Sequence, residues 1–297
     1  MVSVGIVLIT FNRSKLLSKA LDSLLVQSFP GRKKIYVIDN ASTDDTAQIV
    51  ASKHSPLICY LHSRTNLGGA GGFRWGMQQA YQDGFDWVWM LDDDVVAAPN
   101  CLERLLQYKD KKVLVPARSN KEGQLVEFSA LKYDLTNPFY IKPKRLQVCD
   151  IYSQRNDLPE LLEIVNFSFE GVLIHRFVIE KVGFPFAEYF ISADDTDYAQ
   201  RIRLKGFPIY LVREAVVVRQ LAFNQTKALL SWKGYYMYRN MLILHFLYGT
   251  NLAVRLKPYF LILGAFLTGK FKKNPNLSFS LFCDARRLAY RLKRRFN

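Results

Sequence analysis

The sequence predicts an α/β fold, in which a Rossmann-like, mostly parallel sheet is flanked by helices and followed by a helical, basic C-terminal appendage. Two observations support this prediction. The first hundred residues alternate between short apolar runs and segments whose apolar residues recur at helical spacing. This cadence is typical of βαβ units, which build parallel sheets. Beyond residue 232 the pattern becomes helical and aromatic, and then basic and amphipathic to the end.

The individual elements follow from these two periods. Continuous apolar runs predict strands buried on both faces, and apolar residues three or four apart predict amphipathic helices. We expect strands at 4–10, 34–38, 57–61, 87–91 and 209–218, and helices at 16–25, 42–50, 73–81 and 195–205. Asn12 or Ser14 is expected to cap the first helix. The pattern of 113–157 is irregular.

Composition excludes several classes of protein. With 297 residues, 49% of them apolar, the chain can form one large α/β domain and an appendage, and it is not typical of disordered proteins. Its four cysteines form no CxxC pair, which argues against a zinc site or a disulfide framework and favours a reducing compartment. The apolar run at the start is better explained by a strand than by a signal peptide.

Most of the positive charge lies in the C-terminal part of the chain. Residues 251–297 contain eleven Lys or Arg and one acid, Asp284, which gives +10 of the net charge of +15. Basic residues interleaved with short apolar segments are typical of regions that bind an anionic membrane surface. A solvated basic face or a nucleic-acid patch is the alternative, but neither explains the interleaved apolar segments.

Three consecutive acids, Asp92, Asp93 and Asp94, follow the fourth predicted strand. Ligands of parallel sheets bind at the carboxyl ends of the strands, and we expect each polar cluster of this chain to follow a strand. Adjacent carboxylates repel one another, and Mg²⁺ or Mn²⁺ relieves the repulsion. Side chains at i and i+2 of an extended chain point the same way, so Asp92 and Asp94 can share one ion. An exposed turn with helix-capping acids is the alternative.

A glycine-rich segment at 66–76 follows the third predicted strand. Four of its glycines, at 68, 69, 71 and 72, precede a helical stretch. Glycines let a ligand approach backbone N–H groups closely, and a helix N-terminus favours anions. We therefore expect a loop that binds a diphosphate, although the segment matches neither the P-loop nor the dinucleotide fingerprint. A flexible loop without a ligand is the alternative.

A third polar cluster contains Asp194, Asp195 and Asp197 at the start of a predicted helix. Acids are common at helix N-termini for electrostatic reasons alone. A carboxylate here can also act as a general base that deprotonates an acceptor hydroxyl. The combination with the other two clusters favours the second interpretation.

Five motifs occur in order along the chain, TFNR at 10–13, VIDNAS at 37–42, NLGGAGGF at 66–73, LDDDV at 91–95 and ADDTDYAQRIRLKGFPI at 193–209. Together they resemble the family 2 glycosyltransferases with a GT-A fold. The glycine segment with the acidic triplet resembles the branch of bacterial galactofuranosyl- and rhamnosyltransferases. YYMYRN at 235–240 is similar to an aromatic-Arg-Asn segment of that branch, and the resemblance covers residues 4–244.

The resemblance implies a role for each polar cluster. Asp92 and Asp94 would hold a divalent metal, Mn²⁺ or Mg²⁺, that neutralises the departing nucleoside diphosphate. Asp195 would be the catalytic base, and Asp194 would orient the acceptor. The implied reaction is one in-line displacement at the anomeric carbon, with inversion. The residues implied to bind the nucleotide sugar are Thr10, Asn12, Arg13, Asp39, Asn66, Gly68, Gly69, Gly71, Gly72 and Asp93.

One position departs from the family pattern. The family commonly has a His, as a further metal ligand, thirteen residues after the glycine that corresponds to Gly206, and this chain has Arg219 there. Arg cannot ligate a cation. Either the ion is held by the aspartates, phosphates and water alone, or Arg219 itself neutralises phosphate.

The implied function is transfer of galactofuranose or rhamnose from UDP or dTDP to a lipid-linked glycan of a bacterial cell wall, O-antigen or capsule. We expect a glycosyltransferase domain at 1–230, with a nucleotide-sugar half at 1–117 and an acceptor half at 118–230, and a membrane-surface region at 231–297. The protein would lie in the cytoplasm, peripherally at the inner face of the plasma membrane, and bind no nucleic acid. A catalytically impaired sugar-nucleotide-binding protein and a sugar-nucleotide pyrophosphorylase are the alternatives.

Overall fold

A computed structural model describes residues 1–140, 142–222, 225–268 and 278–296. The strands of this part are β1 (Ser3–Thr10), β2 (Arg32–Asp39), β3 (Ile58–His62), β4 (Trp87–Asp92), β5 (Val95–Ala97), β6 (Val113–Ser119), β7 (Ala130–Tyr133), β8 (Lys144–Gln147), β9 (Leu161–Ile164), β10 (Val172–His175) and β11 (Ile209–Arg219). Nine of them form a central sheet in the order β3-β2-β1-β4-β10-β6-β11-β5, with β9 paired to β11.

Helices cover both faces of this sheet and form the C-terminal part. They are α1 (Ser14–Leu25), α2 (Thr46–Ser52), α3 (Gly68–Gln82), α4 (Cys101–Leu106), α5 (Val148–Ile151), α6 (Arg176–Val182), α7 (Asp194–Leu204), α8 (Gln225–Leu230), α9 (Lys233–Tyr248), α10 (Leu252–Leu267) and α11 (Phe279–Phe296). Short 3-10 turns lie at Arg155–Asp157 and Ala187–Tyr189. The predicted α/β class with helices around a central sheet is confirmed.

The direction of the strands decides which residues meet at one edge. Strands β1 to β4 are parallel, and so are β6 and β11. β10 is antiparallel to β4, with Val172 opposite Met90. The start of β10 therefore lies at the edge where β4 ends. This edge collects residues that are far apart in the sequence.

Alternation along the buried strands builds two apolar layers. Successive side chains of a strand point to opposite faces. Val7 packs in the layer that contains α3 and α7, whereas Leu8 packs in the layer that contains α1 and α4. Both side chains are fully buried. This two-sided burial explains the continuous apolar runs of the sequence.

A third apolar cluster joins the C-terminal helices to the start of α3 and to the 3-10 turn at Ala187–Tyr189. It contains Ala70, Phe186, Tyr189, Leu242, Ile243, Ile262, Leu281, Phe282 and Leu288. Within the described ranges, every helix is too short or too polar to cross a membrane. The helical character predicted after residue 232 is present in α9, α10 and α11.

Three local predictions are wrong. The glycine segment is the first part of α3 and not a loop. The stretch 113–157 contains β6, β7, β8 and α5. Neither Asn12 nor Ser14 caps α1 with its side chain. The backbone N–H of Ser14 instead donates to Asp44 Oδ2 at 2.9 Å, so the loop after β2 supplies the cap.

Candidate active site

The carboxyl ends of β1 and β4 are joined through Asp93. Its Oδ2 accepts a hydrogen bond from Thr10 Oγ1 at 2.8 Å, and its Oδ1 lies 3.0 Å from Arg13 Nη1. The same Arg13 nitrogen lies 3.3 Å from Asp94 Oδ2. Parallel pairing of Ile9 with Asp92 brings these residues side by side. The structure thus assembles Thr10, Arg13 and Asp93, and it buries Asp93 against β1.

Asp92 and Asp94 remain partly exposed at the same edge. Burial raises the pKa of Asp92 well above its usual range, and the charges of Asp94 and Glu170 raise it further. Burial and the charge of Glu170 also raise the pKa of Asp94, to about 6. The prediction that an extended backbone aligns them is wrong, because the chain turns at Asp93 and Asp94.

This surplus of negative charge fits a divalent cation. Carboxylate oxygens are the ligands that Mg²⁺ and Mn²⁺ prefer, and a cation relieves the mutual repulsion of Asp92 and Asp94. In the part of the chain that the structure describes, no three His, Cys, Asp or Glu side chains are grouped as a metal site. Asp92 and Asp94 are the residues that would hold such an ion.

Asp39 ends β2 and is buried against β3. It accepts hydrogen bonds from the Ser42 N–H at 2.8 Å and from the Tyr60 hydroxyl, and His62 Nδ1 lies at 3.3 Å from it. Burial alone would raise the pKa of Asp39, but these hydrogen bonds lower it below its usual value. Asp39 therefore stays ionised and holds the loop after β2. The His62 side chain is 49% exposed, and the sequence pattern did not single it out.

Asn12 connects the loops that follow β1 and β2. Its backbone N–H donates to Ser42 Oγ at 2.9 Å, and its side-chain oxygen accepts from the Thr43 N–H at 2.7 Å. Its φ of 52° lies in the left-handed region, where Asn is among the better tolerated residues. Asn12 thus fixes the relative position of the two loops expected to face a nucleoside.

The glycines at the start of α3 permit close packing. Gly68 has a φ of +70°, and a Cβ there would lie 2.1 Å from the carbonyl oxygen of Phe190. Two N–H groups of the first turn are already bonded, Gly68 to Asn66 Oδ1 at 2.8 Å and Ala70 to the Phe190 carbonyl at 3.1 Å. Gly69 is different, because an added Cβ would come no closer to a neighbour than 3.8 Å.

Gly71 and Gly72 lie one turn further along α3 and are buried. A Cβ on Gly72 would lie 3.1 Å from Asn40 Nδ2 and 3.2 Å from Ile9 Cγ2, so this glycine lets α3 approach β1 and β2. Of the four glycines predicted to bind the diphosphate, three are thus explained at least partly by packing. At Gly69 an added Cβ would make only an ordinary van der Waals contact with Ile9 Cδ1.

Asp194 and Asp195 begin α7. We had expected them to follow a strand, but they follow the 3-10 turn at Ala187–Tyr189. Burial and the charge of Asp195 raise the pKa of Asp194 to about 8. Burial also raises the pKa of Asp195, which is partly exposed and accepts the Thr196 N–H at 2.6 Å. Asp195 is therefore the more accessible of two carboxyls that hold a proton more readily than usual.

The third acid of this cluster, Asp197, has a structural role. It is fully buried and accepts hydrogen bonds from the hydroxyls of Tyr189 at 2.9 Å and Tyr248 at 2.6 Å. Its other oxygen pairs with Arg201 Nε at 2.9 Å. This network fixes α7 against α9 and leaves the first two acids at the helix start.

Glu170 lies within electrostatic reach of both acidic clusters, and the sequence analysis missed it. Its negative charge raises the pKa values of Asp92, Asp94 and Asp195. Glu170 lies two residues before β10, whose start is at the edge where β4 ends because the two strands are antiparallel. The sequence carried no signal of strand direction. Glu170 thus acts electrostatically on acids that are a hundred residues apart in the sequence.

Arg219 ends β11 and pairs with Glu170 through two nitrogens, Nη2 at 2.6 Å from Oε1 and Nε at 3.0 Å from Oε2. Arg118 pairs with Glu127, and its Nη1 also lies 3.3 Å from Glu170 Oε2. Burial opposes ionisation of Glu170, but the two guanidinium groups outweigh it and lower its pKa. Arg219 thus neutralises a carboxylate that the sequence did not suggest as its partner.

The β7–β8 hairpin borders Asp195. The positive charge of Lys144 on β8 stabilises the ionised form of Asp195, and the charge of Asp195 adds to burial in raising the pKa of Tyr133 on β7. Lys144 Nζ also donates to the Phe128 carbonyl at 2.9 Å. These side chains lie in the stretch that we predicted to be irregular, and the sequence ALKY at 130–133 has no regular alternation that could have located them.

Comparisons with known proteins agree with this architecture. The sequence profile described as "Glycosyl transferase family 2" matches residues 5–183. Galactofuranosyltransferase GlfT1 of Mycobacterium tuberculosis strain H37Rv is 27% identical over 244 residues, which cover 80% of this chain and 76% of the relative. Galactofuranosyltransferase GlfT2 of the same strain is 24% identical over 202 residues, which cover 62% of this chain and 31% of the relative.

Solved structures share the fold at low sequence identity. Staphylococcus aureus TarS in complex with UDP-GlcNAc has a TM-score of 0.57 at 19% identity, over 95% of this chain and 76% of that one. GalNAc-T7 with UDP, GalNAc and Mn²⁺ has a TM-score of 0.60 at 13% identity, over 83% of this chain and 48% of that one. Because the family profile spans more than half of its length, this chain belongs to glycosyl transferase family 2, with a GT-A fold.

Proposed function

We propose that the chain is an inverting glycosyltransferase that moves galactofuranose from UDP-galactofuranose to a hydroxyl of a lipid-linked bacterial cell-surface glycan. The observation that carries the proposal is that the charge of Glu170 acts on Asp92 and Asp94 as well as on Asp195. This shared influence supports the inference that one sugar contacts both acidic clusters. The names of the relatives favour galactofuranose, and the UDP in the TarS and GalNAc-T7 structures favours uridine. Rhamnose from dTDP is the alternative donor.

On the donor side, Asp92 and Asp94 are the residues that would hold Mn²⁺ or Mg²⁺. Such an ion, when bound, supplies positive charge for the departing diphosphate. Arg13 adds a guanidinium beside Asp93 and Asp94, and Thr10 fixes Asp93. Asn12 and Asp39 shape the two loops that would surround the nucleoside, and Asn66 and Gly69 border the sugar diphosphate.

On the acceptor side, Asp195 takes the proton of the acceptor hydroxyl. The hydroxyl oxygen forms a bond to the anomeric carbon as the bond from that carbon to the diphosphate breaks, which inverts the configuration. The charge of Lys144 favours the ionised form of Asp195 and so opposes part of the effect of burial on its pKa. Asp194, whose pKa is about 8, carries a proton at neutral pH and can donate it in a hydrogen bond to the acceptor.

A panel of sugar nucleotides tests the donor assignment. UDP-galactofuranose with Mn²⁺ should raise the unfolding temperature by about 5 °C near saturation, and dTDP-rhamnose by much less. Transfer of labelled galactofuranose to a lipid-linked oligosaccharide should then be measured directly. Asp92→Asn is the control, since it should lose the metal-dependent part of the shift. A preference for dTDP-rhamnose, or stabilisation independent of metal, would contradict the assignment.

One observation favours a second function, in which the chain binds a sugar nucleotide without transferring the sugar. Arg219 occupies the position where the family commonly has a metal-ligating His, and its guanidinium forms an ion pair with Glu170. Metal-dependent donor binding without transfer or donor hydrolysis would establish this alternative. Membership in glycosyl transferase family 2 removes the reason to consider a pyrophosphorylase.

We also propose that the protein binds an anionic membrane surface through α10. Its exposed apolar side chains recur at helical spacing, at Leu252, Leu256, Phe260, Leu263 and Leu267, each between 40% and 73% exposed. Most of the described apolar side chains of α11, by contrast, pack in the third cluster, whereas Phe279 and Tyr290 are exposed. The apolar surface proposed for the membrane is therefore mainly that of α10, and α11 adds basic residues, which suits acidic lipids. The basic residues at 270–273 that were expected to take part lie outside the described residues.

Point substitutions test this surface better than truncation, because removal of residues from 251 onward would uncover the third cluster. Phe260→Glu with Leu263→Glu should weaken binding to phosphatidylglycerol vesicles about tenfold or more, measured by cosedimentation. Val26→Glu, at an exposed apolar position after α1, is the matched control. Equal binding by both variants would refute the α10 surface.

A further inference from the structure

The backbone that leads into the acidic pair is strained. Phe190, Ser192 and Ala193 all have a positive φ, of 63°, 71° and 63°. None of them is Gly or Asn, the residues that tolerate this region best. Three such residues within four positions cost free energy, so the surrounding structure must hold this conformation. The strained residues lie directly before Asp194 and Asp195.

The amide nitrogen of one buried side chain lies within hydrogen-bond distance of three carbonyls of this segment, which share its two N–H bonds. Asn240 of α9 is fully buried. Its Nδ2 lies 3.0 Å from the carbonyl oxygen of Tyr189, 2.9 Å from that of Ile191 and 2.7 Å from that of Ser192. A single amide group thus contacts carbonyls on both sides of Phe190 and the one that precedes Ala193.

Two further contacts hold the same segment. Arg239 Nη2 donates to the carbonyls of Glu188 at 2.8 Å and Tyr189 at 3.0 Å. From the opposite side, the Ala70 N–H of α3 donates to the Phe190 carbonyl at 3.1 Å. The segment 188–193 is therefore held between α9 and the glycine-rich start of α3. The side chain of Asn240 is the contact that reaches furthest toward the acidic pair.

We propose that Asn240 is a positioning residue for sugar transfer, whose amide holds segment 189–193 in the strained conformation that presents Asp195 to the acceptor. This inference rests on the proposed function. Asn240 touches no reacting atom and acts only through the backbone that carries the base. A carboxylate must lie within hydrogen-bond reach of the proton that it takes, so a small displacement of α7 at its start lowers the rate of transfer.

The test compares Asn240→Ala with Gln27→Ala. Gln27 is also a buried amide with several backbone hydrogen bonds. It follows the C-terminal end of α1, whereas Arg13 lies at the N-terminal end of that helix. Asn240→Ala should lower kcat about 10- to 100-fold. The donor KM should stay unchanged within about twofold, because the residues proposed to bind the donor lie outside segment 189–193. Gln27→Ala should leave kcat unchanged in the folded protein.

Two readouts separate positioning from general loss of structure. Amide hydrogen exchange in a peptide covering 187–196 should accelerate in Asn240→Ala and not in Gln27→Ala. The acid limb of the pH profile of kcat should move to lower pH, because release of the segment hydrates Asp195, whose environment also includes Asp194, Glu170, Lys144 and Tyr133. A smaller folded fraction lowers the rate without moving that limb.

Asn240→Asp retains the size of the side chain but lacks the N–H donors, so it should behave like Asn240→Ala. If Asn240→Ala does not fold, Asn240→Gln, which keeps the amide on a longer arm, should show the same pattern at smaller amplitude. A folded variant with kcat within twofold of the native chain and unchanged exchange would overturn the inference. Absence of transfer by the native chain would instead refute the proposed function, and the exchange measurement would still test the contact.

Discussion

The two acidic clusters of the site are held in different ways. The triplet at 92–94 lies where a buried strand ends, and its partners Thr10 and Arg13 come from the neighbouring parallel strand and the loop after it. The acidic pair, Asp194 and Asp195, follows a strained segment that contacts from α9 and α3 hold in place. Both clusters have raised pKa values because of burial, but only the first is placed by regular secondary structure.

This difference teaches where the site is sensitive to substitution. The hydrogen bonds of the whole sheet fix the position of a strand end. A single substitution around the triplet therefore changes the charge of the triplet more than its position. The acidic pair depends on a few contacts with helices distant in the sequence, so substitutions far from the chemistry can displace it. We therefore expect substitutions to displace the acidic pair at 194–195 more easily than the triplet at 92–94.

The largest expected effect comes from removing the proposed base. Asp195→Asn should lower kcat roughly 10³-fold while donor affinity changes little, because the neutral amide cannot take a proton. Single-turnover kinetics and donor titration measure the two quantities separately. Retained turnover would rule out the assignment and would leave the acceptor side without a base.

The same base sets the pH dependence. Burial raises the pKa of Asp195 above the ordinary value of 3.8, so the carboxyl is protonated at a higher pH than a free aspartate. The rate should therefore fall as pH decreases through that raised pKa, at a higher pH than for an ordinary aspartate. A pH profile of kcat whose acid limb lies at or below the ordinary aspartate pKa of 3.8 would contradict this prediction.

An intermediate effect should separate two neighbouring glycines of α3. Gly68→Ala should destabilise the protein by about 2 to 4 kcal/mol, because the new Cβ meets the Phe190 carbonyl in a left-handed backbone conformation. Gly69→Ala should be neutral or stabilise by up to about 1 kcal/mol, as alanine does in a helix, and should weaken donor binding. Denaturant unfolding measures both. Equal stabilities would mean that α3 and segment 188–193 move apart without cost.

The smallest expected effect concerns the charge of the triplet. The raised pKa of Asp92 means that its ionisation is less favourable in the folded than in the unfolded chain. This penalty is absent below the unfolded pKa of about 4 and grows as pH rises, so metal-free Asp92→Asn should be roughly 1 to 2 kcal/mol more stable at pH 7. Urea unfolding with chelator measures the difference. A less stable variant would show that Asp92 has a compensating partner.

Much of the donor side could be predicted from sequence. Buried parallel strands produce continuous apolar runs, and the residues after them meet at one edge, which located the acidic triplet. The resemblance to family 2 glycosyltransferases added Thr10 and Arg13. Glu170 was not predicted, because an apolar run in the sequence does not show whether its strand is parallel or antiparallel to the neighbouring strand. The glycine segment was assigned to a loop because helix propensity disfavours glycine, whereas packing against Phe190, Ile9 and Asn40 requires it.

The sequence by itself determined the α/β class, the family and the residue types at the sheet edge, because periodicity and short motifs are local properties of the chain. Only the tertiary structure decided that Arg219 pairs with Glu170, that Lys144 lies near Asp195 and that Asn240 holds the segment before it. These contacts join residues 48 to 51 positions apart, and such pairings depend on how helices and antiparallel strands pack, which no local pattern encodes.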